Sequence, residues 1–375
     1  MLGFMTRMYS ILYPPKVEKT TNPIRFGILG AARIAPIALI LAVASHPECI
    51  ILGVAARDEK RAKAFAKKHQ ISKIYYGPFG YQNLIDDPEI DVIYNPLPNG
   101  LHFEWTAKAL EAGKNVLLEK PSTNTAEEIQ KLFEIATKKN LVLLEAFHYR
   151  FHPSFLRLKE IVQSGEFGKI VSVKSELKVP RGLVPNDDIR LDYSLGGGAL
   201  MDMGVYPISV VRALVGTEPV SVVSANYTAH SKDPSVDRCV DAVLAFPNGA
   251  TAEIGCDLQV HPRLGFIPKW PSTYIKVQLE GGEVSLSNFP APYIFHSIRI
   301  KPRSGKTRSE TVYRYKNGEG EDWWTTYRYQ LEAFMDKLKG RDPKTWMTAE
   351  DSINQMKVVE TVYIKITIVK GLNVF

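Results

Sequence analysis

The hydrophobic positions of this chain follow two rhythms. Between residues 24 and 145, short unbroken apolar runs alternate with stretches whose apolar positions recur every three or four residues. An unbroken run marks a strand covered on both faces, and the longer period marks an amphipathic helix. Strands are predicted at 24–30, 50–56, 91–94, 115–118 and 141–145. Helices are predicted at 33–46, from an Asp58 cap to 69, at 102–112 and at 125–139. Such alternation predicts an α/β domain with a doubly wound parallel sheet, whose ligands bind beyond the carboxyl ends of the strands.

Further along, apolar and polar residues alternate singly at 169–179, 220–228, 238–246, 250–260, 274–279 and 283–286. That pattern belongs to strands with one face in water. Pro247-Asn248-Gly249 is a hairpin signal between two of them. The second half is therefore expected to be α+β, on a large, mostly antiparallel open sheet. A helix at 150–164, ended by Gly165, should precede it, and helices at 325–339 and 348–370 should follow. Thr348 and Asp351 form a capping box for the last helix, with Ile353, Met356, Val359, Val362, Tyr363 and Ile366 as its apolar stripe and Gly371 as its end. The expected division is an extension at 1–22, an α/β domain at 23–147 and an α+β domain at 148–375.

With 375 residues the chain exceeds one ordinary domain. Its net charge of +7 is spread over helix faces, such as that of Lys67 and Lys68, which argues against a nucleic-acid partner. The apolar run at 34–44 contains Pro36 and falls short of the ~20 residues that span a bilayer, so no membrane partner is expected. Residues 1–22 lack the apolar core of a secretory signal. Cys49, Cys239 and Cys256 lie far apart and match no metal spacing, which fits a reducing, cytoplasmic setting.

Candidate chemistry gathers at the strand ends. Gly30, Ala32 and Ala35 partly match the dinucleotide fingerprint, and the turn Gly30, Ala31, Ala32, Arg33, Ile34 offers backbone N–H groups to a phosphate. Ala32 replaces the middle glycine and adds a methyl where pyrophosphate would approach. The second strand ends in Arg57, with Arg61 one turn on, where a carboxylate normally holds a ribose hydroxyl. A guanidinium there grips a 2′-phosphate, so NADP is the expected cofactor. Asp58 is the alternative acid, and it fits better as a helix N-cap.

Glu119-Lys120-Pro121 closes another strand, and Asp202 and Tyr206 lie four apart after the glycines at 196–198. Tyrosine titrates near ~10 in free solution, and an ammonium such as that of Lys120 favours the phenolate that proton abstraction needs. His148 and His152, four apart, could ligate a metal, but with no third ligand evident, cofactor-site or packing roles are preferred and no metal is expected. Trp270, Trp323, Trp324 and Tyr327 suit either sugar stacking or packing, and the irregular loop 261–272 could cover a substrate.

Taken together, the fingerprint, Arg57, Pro98-Asn99 with His102, Glu119-Lys120-Pro121, Glu145 with Arg150, and the glycine-rich segment ending in Tyr206 resemble the Gfo/Idh/MocA oxidoreductases. Within that family the chain looks most like the NADP-dependent D-xylose 1-dehydrogenases and dimeric trans-dihydrodiol dehydrogenases. The resemblance implies a Rossmann domain, catalytic Lys120, Tyr206 as acid/base, and Asp202 orienting substrate. It further implies cofactor contacts from the first βα turn, Arg57, Arg61, Asn95, Pro96, Leu97, Asn99, His102, Glu119, Lys120 and Arg150. A sugar or diol substrate and a homodimer through the second sheet follow as expectations. A non-catalytic NADP-binding sensor is the rival from another class, because fungal galactose-regulon repressors resemble the same family.

Overall fold

The computed structural model describes residues 2–185, 188–262, 267 and 269–370. It divides into two compact units, one of residues 1–123, 127–152 and 313–352, the other of 124–126, 153–312 and 353–375.

In the first unit, β1 (Ile24–Leu29), β2 (Cys49–Ala56), β3 (Lys73–Tyr76), β4 (Val92–Asn95), β5 (Asn115–Leu118) and β6 (Leu143–Glu145) form one parallel sheet in the order β3-β2-β1-β4-β5-β6. This is the expected doubly wound arrangement, with its strand order reversing beside β1. Phe26, Ile28, Leu29, Val54, Ile93, Leu118 and Leu144 are fully buried, as unbroken apolar strands require. Among the elements that escape the sequence reading are β3 and the helix Gly80–Asp86, both too short to show a period. The first helix is also corrected. It does not begin at Arg33 as a regular α-helix but as a π turn, Pro36–Ile40, followed by Leu41–Ala44. Pro36 sits where no amide partner is required, and the N–H of Leu41 reaches back to Pro36 O.

The expected break between residues 147 and 148 does not separate two contiguous domains. Segment 313–352 belongs to the first unit, where Phe334 of the helix Thr326–Leu338 packs on Phe26 of β1 with ring centroids 6.2 Å apart. Local patterning identifies that helix but not the sheet it covers. The extension at 1–22 also belongs to this unit. It forms the helix Leu2–Leu12, with the Arg7 guanidinium 4.0 Å from the ring centroid of Tyr313.

In the second unit, eight strands run in the order β14-β13-β12-β11-β7-β10-β9-β8. They are β7 (Ile170–Pro180), β8 (Ser221–Ala229), β9 (Asp237–Ala245), β10 (Thr251–Val260), β11 (Ser272–Leu279), β12 (Gly282–Ser287), β13 (Ile298–Pro302) and β14 (Arg308–Glu310). Among the described residues the β7–β10 pairing alone is parallel. Val173, Ile254, Ile275, Val277, Val284, Ile298 and Ile300 line the buried face. The expected helix at 150–164 is split, because Pro153 opens a new helix, Pro153–Gln163, after the 3₁₀ turn His148–Phe151. Among the described residues one helical stretch, Tyr193–Val215, is long and apolar enough to cross a membrane, and 78% of its apolar window is buried in the fold as in a core helix. Gly371 and residues 263–266 and 268 of the loop 261–272 lie outside the described residues.

Candidate cofactor and catalytic sites

The first βα turn is shaped by Gly30. Its φ of +84° is a conformation that glycine adopts freely, and a Cβ there would stand 3.0 Å from Leu97 Cδ2. Gly30 N–H donates to Ala55 O at 2.7 Å, tying the turn to the end of β2. At that strand end Asp58 accepts the Arg61 N–H at 2.7 Å, so its carboxylate serves as the helix cap. Arg57 and Arg61 are exposed beside it, and Arg61 Nη2 lies 3.5 Å from Ala31 O. Two guanidiniums and the backbone of residues 30–34 thus converge on one strand tip, a donor set that suits a phosphorylated ribose.

The Asn95 side chain is engaged within the fold. Fully buried, its amide donates to Thr106 Oγ1 at 3.0 Å and His102 O at 3.3 Å and accepts Leu97 N–H at 3.3 Å. Its role is to shape the segment through Pro96, Leu97 and Asn99 from within. The His102 ring is likewise engaged within the fold. Its Nδ1 stands 2.8 Å from Pro121 O and its Nε2 2.7 Å from Leu97 O, with the ring buried. Burial, together with the nearby Lys120 ammonium, holds its pKa down to about 4, so at neutral pH the ring donates to one of these carbonyls. Sequence spacing placed both residues near the site but could not show that they face the fold.

Glu119-Lys120-Pro121 is braced from several sides. Glu119 Oε1 accepts the Tyr94 hydroxyl at 2.6 Å, His102 meets Pro121 O, and the N–H of Ser122 donates to Glu145 Oε1 at 2.9 Å. The Lys120–Pro121 bond is cis. Arg150 pairs with Asp351 at 3.2 Å, and its buried Nη1 finds no hydrogen-bond partner among the described residues. His148 Nδ1 lies 2.8 Å from Thr326 Oγ1, and its ring packs 4.1 Å from that of Tyr327. Burial, with Lys120 nearby, lowers its pKa to about 3. Among the described residues no group of three or more His, Cys, Asp and Glu side chains is arranged to hold a metal. Trp324 packs against Tyr329 and under Arg328, whereas Trp270 is 92% exposed.

In the second unit, Asp202 lies in a π turn, Leu200–Gly204, that runs directly into the helix Val205–Val215 bearing Tyr206. Pro207 cannot donate to Met203 O, and the N–H of Val205 reaches both Leu200 O and Met203 O. Asp202 is ion-paired with Arg190 Nε at 2.9 Å, and Arg190 also meets Asp188 at 3.1 Å. Tyr206 is buried to 7% exposure. Arg190 was missed by sequence reading, since no local pattern links it to Asp202. Asp237 was missed too. Its buried carboxylate accepts Leu200 N–H at 2.7 Å and the Tyr363 hydroxyl at 2.8 Å. Burial pushes its carboxyl up to about 6 against these donors.

Comparison with known proteins places these segments in one family. A model of the oxidoreductase family with an NAD-binding Rossmann fold matches residues 24–147, and the GFO/IDH/MocA C-terminal domain matches residues 155–280. The chain is 34% identical to D-xylose 1-dehydrogenase (NADP(+)) 2 of Haloferax volcanii, over 90% of its own length and 96% of the relative's. It is 36% identical to a dTDP-3,4-didehydro-2,6-dideoxy-alpha-D-glucose 3-reductase of Saccharopolyspora spinosa, over 68% of its length and 71% of the relative's. A crystal structure of a 3-ketoreductase from Actinomadura kijaniata, in complex with NADP and TDP-benzene, superposes with a TM-score of 0.78 at 28% identity. That match covers 92% of this chain and 98% of the other.

Proposed function

Because the chain belongs to the Gfo/Idh/MocA family of oxidoreductases, we propose that it is an NADP-dependent dehydrogenase that oxidises an aldose at C1 to the lactone. The observation that carries this reading is the braced Glu119-Lys120-Pro121 segment at the end of β5, in a fold whose strand tip presents Arg57 and Arg61 rather than a free acid. The xylose dehydrogenase relative supports the substrate class.

NADP, when bound, supplies the hydride acceptor. Arg57 and Arg61 would hold its 2′-phosphate, the backbone of the turn Gly30–Ile34 would serve its pyrophosphate, and Arg150 would add a further N–H donor. Tyr206 is assigned the hydroxyl proton as hydride leaves the carbon, and Lys120 is the second residue assigned to that chemistry. Asp202, held by Arg190, orients the sugar hydroxyls. Free thiols at Cys49, Cys239 and Cys256 support a cytoplasmic enzyme.

The second reading, favoured by the 3-reductase relatives, is reduction of a keto-sugar, in which NADPH would supply the hydride to the ketone carbon and Tyr206 the proton to its oxygen. A panel of aldoses, trans-diols and keto-sugars, followed by NADPH absorbance, separates the two. Turnover of aldoses with NADP supports the first reading. Tight NADP binding with no turnover across the panel defeats both and favours a sensor.

A further inference from the structure

We infer that Asp237, together with Tyr363, is a positioning residue that sets the helix bearing Asp202 and Tyr206. The inference rests on the proposed role of Tyr206. Three segments distant in sequence meet at this carboxylate: the first residue of β9, the start of the π turn and the helix Ala349–Lys370. Oδ2 accepts Leu200 N–H at 2.7 Å, and Oδ1 accepts the Tyr363 hydroxyl at 2.8 Å. The two oxygens therefore have different duties, one on the helix and one on the group that holds the carboxylate in place.

Gly198 shows how closely the chain wraps this carboxylate. Its φ is +140°, and a Cβ there would lie 2.3 Å from Asp237 Oδ1 and 3.2 Å from the Tyr363 hydroxyl. The carbonyl of Gly198 in turn accepts Asp202 N–H at 2.9 Å, so the anchored turn leads directly into the site helix. A buried carboxylate at the amino end of a helix holds that end through a charge-assisted bond, and loss of either partner lets the turn shift. Displacement of a reacting group by ~1 Å costs on the order of 10² in rate, without any loss of cofactor affinity.

The experiment uses the full-length enzyme and the sugar that the unaltered protein turns over. It compares Asp237→Asn, Tyr363→Phe, Tyr206→Phe and Glu310→Gln. The last breaks the Arg157–Glu310 pair at 2.8 Å and serves as a control for general destabilisation. Assays run well below each melting temperature, and NADP affinity is titrated by fluorescence. Tyr363→Phe is expected to lose about tenfold in kcat and Asp237→Asn more, with the KM and Kd for NADP unchanged and with kcat intact in Glu310→Gln. Full kcat in Tyr363→Phe, or a loss no larger than in a control of equal melting temperature, overturns the positioning role even if Asp237→Asn fails to fold. Turnover that survives Tyr206→Phe removes the catalytic reading itself, and this inference with it.

Discussion

Glu145 accepts the backbone N–H of Ser122 at 2.9 Å, so the last residue of β6 holds the segment that leaves the neighbouring strand β5. Both groups are buried, and the bond lies two residues beyond Lys120. Glu145→Ala leaves that N–H without its acceptor, which costs about 1–3 kcal/mol. It is expected to lower the melting temperature and also kcat, because the support of Lys120 is lost. Calorimetry with steady-state kinetics checks both, and an unaltered kcat denies the brace a catalytic purpose.

Lys120→Met removes the ammonium while keeping the length of the side chain. Turnover is expected to fall by roughly 10² to 10⁴, the range of general acid–base assistance, with NADP affinity little changed. Stopped-flow hydride transfer and fluorescence titration measure the two separately. Near-normal turnover removes Lys120 from the mechanism.

Arg57→Ala tests the phosphate reading of the strand tip. Asp58 stays committed to the Arg61 N–H, so no acid is released to hold a ribose hydroxyl. The ratio of kcat/KM for NADP over NAD is expected to fall about tenfold or more, through lost NADP affinity rather than gained NAD affinity. A ratio that does not move refutes the role assigned to Arg57.

Acid should destabilise the fold. His46 and His148 are held at about 3 and His102 at about 4, chiefly by burial, whereas an unfolded histidine titrates near ~6.5. Folded values below the unfolded one mean that the unfolded chain binds protons first on acidification. Their stability contribution is complete above pH ~6.5 and declines as pH falls toward 4 and then 3. At pH 5 each costs roughly 2 kcal/mol relative to neutral pH. Asp237, raised to about 6, has the opposite sign and offsets part of this below pH 6. Urea unfolding at pH 7.5 and pH 5 is expected to show a net loss, smaller in His148→Gln. Equal midpoints would mean that these rings are charged in the fold.

The proposed homodimer places the outer face of the second sheet in the contact. On that face Lys174 pairs with Glu253 at 2.8 Å and Lys178 with Asp241 at 2.6 Å. Lys174→Glu puts like charges beside Glu176 and Glu253 and is expected to weaken association. Sedimentation velocity reads the change, and an undisturbed dimer would locate the contact elsewhere.

Much of the architecture was legible because it is written in short-range order. Unbroken and alternating strands differ in whether one face or two is covered, and that difference separates the parallel sheet from the open one. The Asp58 cap was legible for the same reason, since its partner, Arg61 N–H, is three residues away. The helix expected from about Thr325 does begin there, and the structure adds that Thr325 accepts Arg328 N–H at 3.2 Å as its cap.

The sequence by itself determined the kinds of elements, their order and the residue types waiting at the strand ends. The tertiary structure decided which of those residues turn outward. Asn95 and His102 carry suitable groups at suitable spacing, yet the fold uses both internally, because a buried amide or imidazole must find partners and the nearest are backbone carbonyls and Thr106. It likewise joined Arg190 to Asp202 and Asp237 to both Leu200 and Tyr363. Such contacts cross long stretches of chain and leave no periodic trace, since they arise only once separate segments have been packed against each other.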